Sequence, residues 1–355
     1  MMKKIVLLMM VLLLISGAYA QRPFLKVDHW LDAHAAEMGG RLILVVCKDG
    51  KIIYSHAVNE MNGRQQALVR LLSERKGEEP DLGNYTETTK QPVASCSKWL
   101  SAALVMTFVD NGKIQLTDTV GKFLPVLSKN GKGSITIGDC LSHTTGILSP
   151  DLKDDLTAKR KANNMDEVIS QIAAYPMEGP SGTVFRYSNT GLQIAGAVLE
   201  KISGKRFETL FAERIAGPLG MKNTDFGHGV VALPAGGALS TPEDYIHFLT
   251  MILNKGIFDG KRILTEKSIA AMQVNRVTPD VRVAYTPAEA TGSGYGYGEW
   301  VMGSGTVSSP GLFGSYPWVD NNKGYCAFLM AFNLKSDGRQ AKYGELRKLV
   351  EAQIR

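Results

Sequence analysis

The chain has 355 residues, with 40 lysines and arginines against 34 acidic residues and a formal net charge of +6. Its basic residues are scattered and form no stripe interleaved with aromatics, which excludes nucleic acid as a partner. Four cysteines with no C-x-x-C pair are too few for a disulfide scaffold, and six isolated histidines lack the spacing of metal ligands, so no metal site is expected.

Lys3 and Lys4 precede an apolar run over residues 5–15, followed by Ser16-Gly17-Ala18-Tyr19-Ala20. A charged start, a short apolar stretch and an A-x-A site predict a signal peptide over residues 1–20, cleaved after Ala20. The run is well short of the roughly 20 residues of a membrane span. No cysteine follows the cleavage site, which argues against a lipid anchor. The expected product is exported, periplasmic or secreted, with no stable membrane insertion once the signal is gone. The remainder is long enough for two domains and a sizeable core.

Residues 25–38 have apolar positions at helical spacing, and Gly39-Gly40 ends that helix. Two strand-like runs, 42–47 and 52–56, flank Asp49-Gly50, a strong hairpin signal. A polar stretch over 59–90 holds one short helix near 66–75. An almost wholly apolar helix then starts at Ser95 and stops at Asn111-Gly112. Helical patterns follow over 189–202, 207–215 and 238–254, the last with Thr241-Pro242-Glu243 as its cap. Strand signals return at 298–303, 314–320 and 325–332, with residues 321–324 as a hairpin turn, and a helix over 340–354 closes the chain. Cys47 and Cys326 fall in strand-like runs; an oxidising compartment permits a bridge between them, and buried free thiols are the alternative.

Strands at both ends with helices between predict a mixed α/β (α+β) fold. Its antiparallel sheet is built from both chain termini and flanked by helices. Residues 21–95 and 236–355 would form the sheet domain and 96–235 an inserted all-helical domain, with the site in the cleft between them.

Ser95-Cys96-Ser97-Lys98 stands at the start of the apolar helix. A buried helix is a costly place for a hydroxyl and an ammonium, so the pair demands a reason. Residues three apart share a helix face, which puts Lys98 beside Ser95. Free N–H groups at a helix start could hold an oxyanion. Ser73-Glu74-Arg75-Lys76 fits the same S-x-x-K pattern, but within a run of charge that reads as a solvated helix end. Tyr187-Ser188-Asn189 is the second piece. Its phenol could take the serine proton and pass it on, with the neighbouring ammonium lowering its pKa. The Asn189 amide could donate to a substrate carbonyl and accept from the lysine. A tyrosine capping a loop and an N-cap asparagine are the bland alternatives.

These pieces resemble the class C β-lactamase-related serine hydrolases, a family that includes D-alanyl-D-alanine carboxypeptidases, D-aminopeptidases and several esterases. The resemblance rests on Ala94-Ser95-Cys96-Ser97-Lys98, Leu141-Ser142-His143-Thr144-Thr145-Gly146 and Phe185-Arg186-Tyr187-Ser188-Asn189-Thr190-Gly191. Pro218-Leu219-Gly220-Met221, the run from Gly236 to Asp244, Gly294-Tyr295-Gly296-Tyr297-Gly298 and Trp318-Val319-Asp320 extend it over nearly all of the expected mature chain. It implies Ser95 as nucleophile, Lys98 and Tyr187 as paired base and acid, and Asn189 positioning substrate and lysine. The family's third motif is lysine or histidine, a small residue, then glycine. Its matching positions are Ser309-Pro310-Gly311, so Ser309 replaces the cation. Lys48-Asp49-Gly50 is a decoy in the first hairpin.

By the same correspondence, Gly311 would allow backbone to approach ligand, and the N–H groups of Ser95 and Leu312 would form the oxyanion hole. His143 belongs to a structural turn. Trp99, Trp300 and Tyr297 read as packing or pocket wall. The implied function is hydrolysis of an ester or amide in a small molecule or short peptide, through a Ser95 acyl-enzyme and without a cofactor. It is more esterase- or peptidase-like than an efficient β-lactamase. A sensory penicillin-binding-type protein that acylates without turnover is the alternative. Arg282 is a candidate to replace the missing cation.

Overall fold

A computed structural model describes residues 24–335 and 338–354, so the leader expected over 1–20 lies outside the described residues. Its centre is an antiparallel sheet of seven strands. In chain order these are β1 (Arg41–Lys48), β2 (Lys51–Asn59), β3 (Gly294–Tyr295), β4 (Trp300–Val301), β5 (Thr306–Ser308), β6 (Tyr316–Asp320) and β7 (Tyr325–Ala331). Their spatial order, β2-β1-β7-β6-β5-β4-β3, joins the two ends of the chain at the β1–β7 pair. The expected first hairpin is present, with Asp49 at φ 52° and Gly50 at φ 71°. Two positive φ values in a two-residue loop match the right-handed twist of the strands they connect.

β1 reads RLILVVCK because both of its faces are covered. Leu42, Leu44 and Val46 point to one side, where they meet Tyr316, Trp318 and Leu329 beneath helices α1 (Leu25–His34) and α6 (Arg339–Glu351). Ile43, Val45 and Cys47 point to the other side. There the sheet is covered by α2 (Ser97–Asp110) and α5 (Pro242–Leu253). α2 is apolar all the way round and buried throughout residues 97–108, as a helix with no polar face must be. The core on this side continues without interruption from Ile43 and Phe328 on the sheet to Leu192, Val198 and Phe211 among the helices.

Two further helices complete the setting of the site: α3 (Leu152–Lys161) and α4 (Thr190–Ser203). α3 was not foreseen, because its sequence, LKDDLTAKRK, is mostly charged. The helix expected from residue 238 starts only at Pro242, because Leu239–Ser240 pairs with Gln91–Pro92 as a short two-stranded sheet. β3 and β5 are two and three residues long and carry too little alternation to announce themselves. Cys47 and Cys326 are directly opposed across β1 and β7, and all four cysteines are buried free thiols.

α4 docks at backbone distance on the short helix Ile137–Leu141. A Cβ on Gly191 would come within 2.2 Å of the Cys140 carbonyl oxygen. Alanine favours a helix interior over glycine by about 1 kcal/mol, and overpacking costs about 1–3 kcal/mol. Gly191→Ala is therefore expected to lower stability despite its better helix propensity, and denaturant unfolding would show it. An unchanged or raised midpoint would mean that α4 can lift off this contact freely.

Candidate active site

A 3-10 turn, Ala94–Cys96, runs into α2 and presents Ser95 at its start, with Ala94 at φ 47°. A positive φ at a non-glycine residue is strained, and such residues persist where the surrounding structure over-determines them. Ser95 is partly exposed, whereas Lys98, one turn on, is 1% exposed. The Lys98 Nζ lies 3.2 Å from Ser95 Oγ, 3.1 Å from Asn189 Oδ1 and 2.8 Å from the Ala235 carbonyl oxygen. Burial pushes the Lys98 ammonium down to about 7; the Lys159 charge adds to that push and Asp155 opposes it.

Tyr187 follows the short strand Val184–Arg186 and brings its phenol under the influence of the Ser95 side chain. Burial pushes the phenol above its ordinary range, and the Ser95 side chain only partly offsets this. The expectation of a tyrosine pKa lowered by the neighbouring ammonium is thus corrected: the buried ring loses more solvation of its anion than the Ser95 side chain returns. Lys98 Nζ lies 4.7 Å from the ring centroid. Behind the ring stand His143, at 4.7 Å between centroids, and Trp300, at 5.1 Å. His143 has φ 60° and hydrogen-bonds through Nε2 to the Tyr295 hydroxyl, 3.0 Å away. Burial, and then the Lys98 charge, hold its imidazole well below its ordinary pKa. It is a neutral buttress for Tyr187.

Asn189 stands just before α4 but makes no capping hydrogen bond, which leaves its amide to the site. Its Nδ2 donates to Asp155 Oδ2 at 2.9 Å. Ser95, Lys98, Tyr187 and Asn189 all line one cavity of about 500 Å³, within the usual range for small-molecule sites. A larger cleft of about 1600 Å³ borders helix Gly63–Lys76 and includes Ser73, but none of these four residues.

The third-motif positions fall differently from expectation. Ser309 is 1% exposed, does not line the cavity, and donates to the Ser95 and Gly298 carbonyl oxygens at 3.2 and 3.3 Å. Gly311 permits a close approach, but to protein: a Cβ there would stand 2.3 Å from the Val93 carbonyl oxygen. Both residues seat the segment after β5 against the turn that carries Ser95. Leu312, 40% exposed, lines the cavity, and its N–H makes no hydrogen bond among the described residues. It is available as an oxyanion donor. Arg282 lies outside the cavity, bound to the Glu178 carbonyl, so it does not replace the absent cation. Arg186 does line the cavity, but Glu178 engages it through both Nε and Nη2.

Asp155 and Lys159 were not foreseen as site residues. Their i, i+4 spacing on α3 is the signal available in the sequence, and it is indistinguishable from that of a solvated surface pair. The Ala235 carbonyl had no signal at all, since any residue supplies one.

The chain is 28% identical over 271 residues to penicillin-binding protein 4 of Amycolatopsis lactamdurans, covering 66% of this chain and 70% of that protein. The crystal structure of a β-lactamase candidate from Bacteroides dorei DSM 17855 superposes with a TM-score of 0.75 at 28% identity, covering 92% of this chain and 99% of the other. A family VIII carboxylesterase shares the fold, with a TM-score of 0.72 at 17% identity over 93% and 97% of the two chains. The Beta-lactamase family model matches residues 31–351, and the chain belongs to that family of serine hydrolases.

Proposed function

We propose that the protein hydrolyses neutral esters or amides through an acyl-enzyme on Ser95. One observation carries this reading: the hydrogen-bond inventory of Lys98. An ammonium has three donors and no lone pair, whereas a neutral amine has two donors and one lone pair. The Ala235 carbonyl and Asn189 Oδ1 are both acceptors and take the two N–H donors. That leaves the lone pair facing the Ser95 hydroxyl, the one of these three partners able to donate. With its pKa pushed down to about 7, the amine is available as a base at neutral pH.

Lys98 takes the Ser95 proton as the oxygen attacks the acyl carbon. The resulting ammonium faces the Tyr187 ring, whose π face attracts a cation. Tyr187 keeps its proton at neutral pH and hands it to the leaving group, then regains one from Lys98. The Ser95 and Leu312 N–H groups and the second Asn189 amide hydrogen are donors available to the acyl oxygen. A water then attacks the acyl-enzyme by the same steps in reverse. The leader pattern in residues 1–20 supports export, which would place this activity outside the cytoplasm.

Ser95→Ala is expected to abolish both labelling by a fluorophosphonate probe and hydrolysis of an aryl ester, while Ser73→Ala leaves both unchanged. Equal losses in the two variants would remove Ser95 from the role of nucleophile. The pH dependence follows from Lys98. Acidification protonates the amine and removes its lone pair, so kcat/KM should fall tenfold per pH unit below about 7 and level off above it. A profile that stays flat between about pH 5 and 8 would rule out Lys98 as the base.

The charges in the cavity set a preference among substrates. Among the described residues, the one cation besides Lys98 that lines it is Arg186, already paired, while Asp151, Asp155 and Glu289 also face it. A charged hydrogen bond to a substrate carboxylate would be worth about 1.5–3 kcal/mol, or roughly 10- to 150-fold in affinity. Neutral aryl or alkyl esters should therefore outcompete carboxylate-bearing cephalosporins by about that factor. Competition assays giving equal or better kcat/KM for a cephalosporin would overturn the preference.

A further inference from the structure

Asp155 and Lys159 form a buried ion pair with no part in the steps above. Both residues are 3% exposed, and Lys159 Nζ lies 2.7 Å from each oxygen of the Asp155 carboxylate. Taking two charges out of water costs several kcal/mol per ion, and apolar residues of similar size often serve packing as well or better. The pair therefore needs a role beyond filling space. Its neighbours supply one, because Asp155 Oδ2 also accepts from Asn189 Nδ2.

A carboxylate held by a lysine can only accept hydrogen bonds. The atom of Asn189 that faces it must then be nitrogen, which turns the amide oxygen toward Lys98. Were the amide reversed, its NH₂ would confront the Lys98 N–H donors and its oxygen the carboxylate. We propose that Asp155 and Lys159 are a positioning pair that fixes the Asn189 amide with its oxygen on Lys98, so that the reactive amine keeps its lone pair on Ser95. Lys159 grips both carboxylate oxygens and prevents the Asp155 side chain from turning away. The chain of contacts thus runs from Lys159 through Asp155, Asn189 and Lys98 to Ser95, with Asp155 one step behind the groups that touch substrate. The proposal rests on the acyl-enzyme reading given above.

The electrostatics supply a readout that a purely structural pair would lack. The ionisable groups acting on Lys98 are Asp155 and Lys159 from α3, Cys96 from the nucleophile turn, Tyr187 and His143. The first two act in opposite directions, since Lys159 disfavours the Lys98 ammonium and Asp155 favours it. Removing them singly should move the acid limb of the rate profile in opposite senses.

The test compares Asp155→Asn, Lys159→Met and the double variant Asp155→Leu/Lys159→Met, measuring kcat and KM for a neutral aryl ester across pH. Asp155→Asn should lower kcat by roughly 10- to 100-fold, the scale of an ångström-sized misplacement, with little change in KM and with the acid limb displaced to lower pH. Lys159→Met should displace the acid limb to higher pH. The double variant carries no unpaired buried charge, so it remains informative if either single variant fails to fold. It should show the kcat loss with the acid limb near its wild-type place. A double variant whose kcat stays within about twofold of wild type, whatever its melting temperature, would overturn the positioning role. Wild-type protein that neither labels at Ser95 nor turns over esters would instead overturn the acyl-enzyme reading, and the pair's role with it.

Discussion

The burial of one amine governs this molecule. Lys98 lies at the first turn of a helix that the core surrounds completely, so its charge has almost no water to stabilise it. Desolvation alone would make such a residue a liability. Here three fixed partners, the Ser95 hydroxyl, the Asn189 oxygen and the Ala235 carbonyl, give the desolvated amine a defined direction. The other features of the site serve that geometry. The strained turn at Ala94 delivers the hydroxyl, α4 delivers the amide, and the aromatic block of His143, Trp300 and Tyr295 holds the phenol in place. Because α2 is buried by the sheet on one side and by helices on the other, the position of the amine is set by the packing of the whole core.

The same burial explains why tyrosine and lysine exchange the roles that their ordinary chemistry suggests. In water a phenol and an ammonium lose protons at similar pH. Desolvation raises an acid that becomes an anion and lowers an acid that becomes neutral, so a shared dry pocket drives the two apart. Lys98 gives up its proton readily and Tyr187 holds on to its own. A single environmental variable therefore separates two side chains with nearly equal starting points into one that sheds its proton and one that keeps it.

Much of this was legible in the sequence, and the boundary of legibility has a physical cause. The sheet could be read from its longest strands, because β1 and β7 are long apolar runs and Asp49-Gly50 marks the turn between β1 and β2. Ser95 and Lys98 stood out because polar groups in an otherwise apolar helix have few alternative explanations. β3 and β5 escaped because two or three residues hold no period. Asp155 and Lys159 escaped because burial of a charged helix is decided by what packs over it, which a local window does not contain. The role expected of Ser309 shifted for a related reason: correspondence with a motif gives a position in the chain but not the direction in which a side chain points.

That direction has its own consequence. Along the segment that leaves β5, successive positions alternate in direction. Ser309 and Gly311 lie against the turn that carries Ser95, while Pro310 and Leu312 face the cavity. Scaffold and selectivity are thus interleaved one residue at a time on a single thread. Changes at residues 310 and 312 can reshape the cavity, while those at 309 and 311 disturb the seat of Ser95 itself. Such an arrangement separates the positions that shape the cavity from those that hold Ser95, and it concentrates the freedom to vary its shape on every second residue.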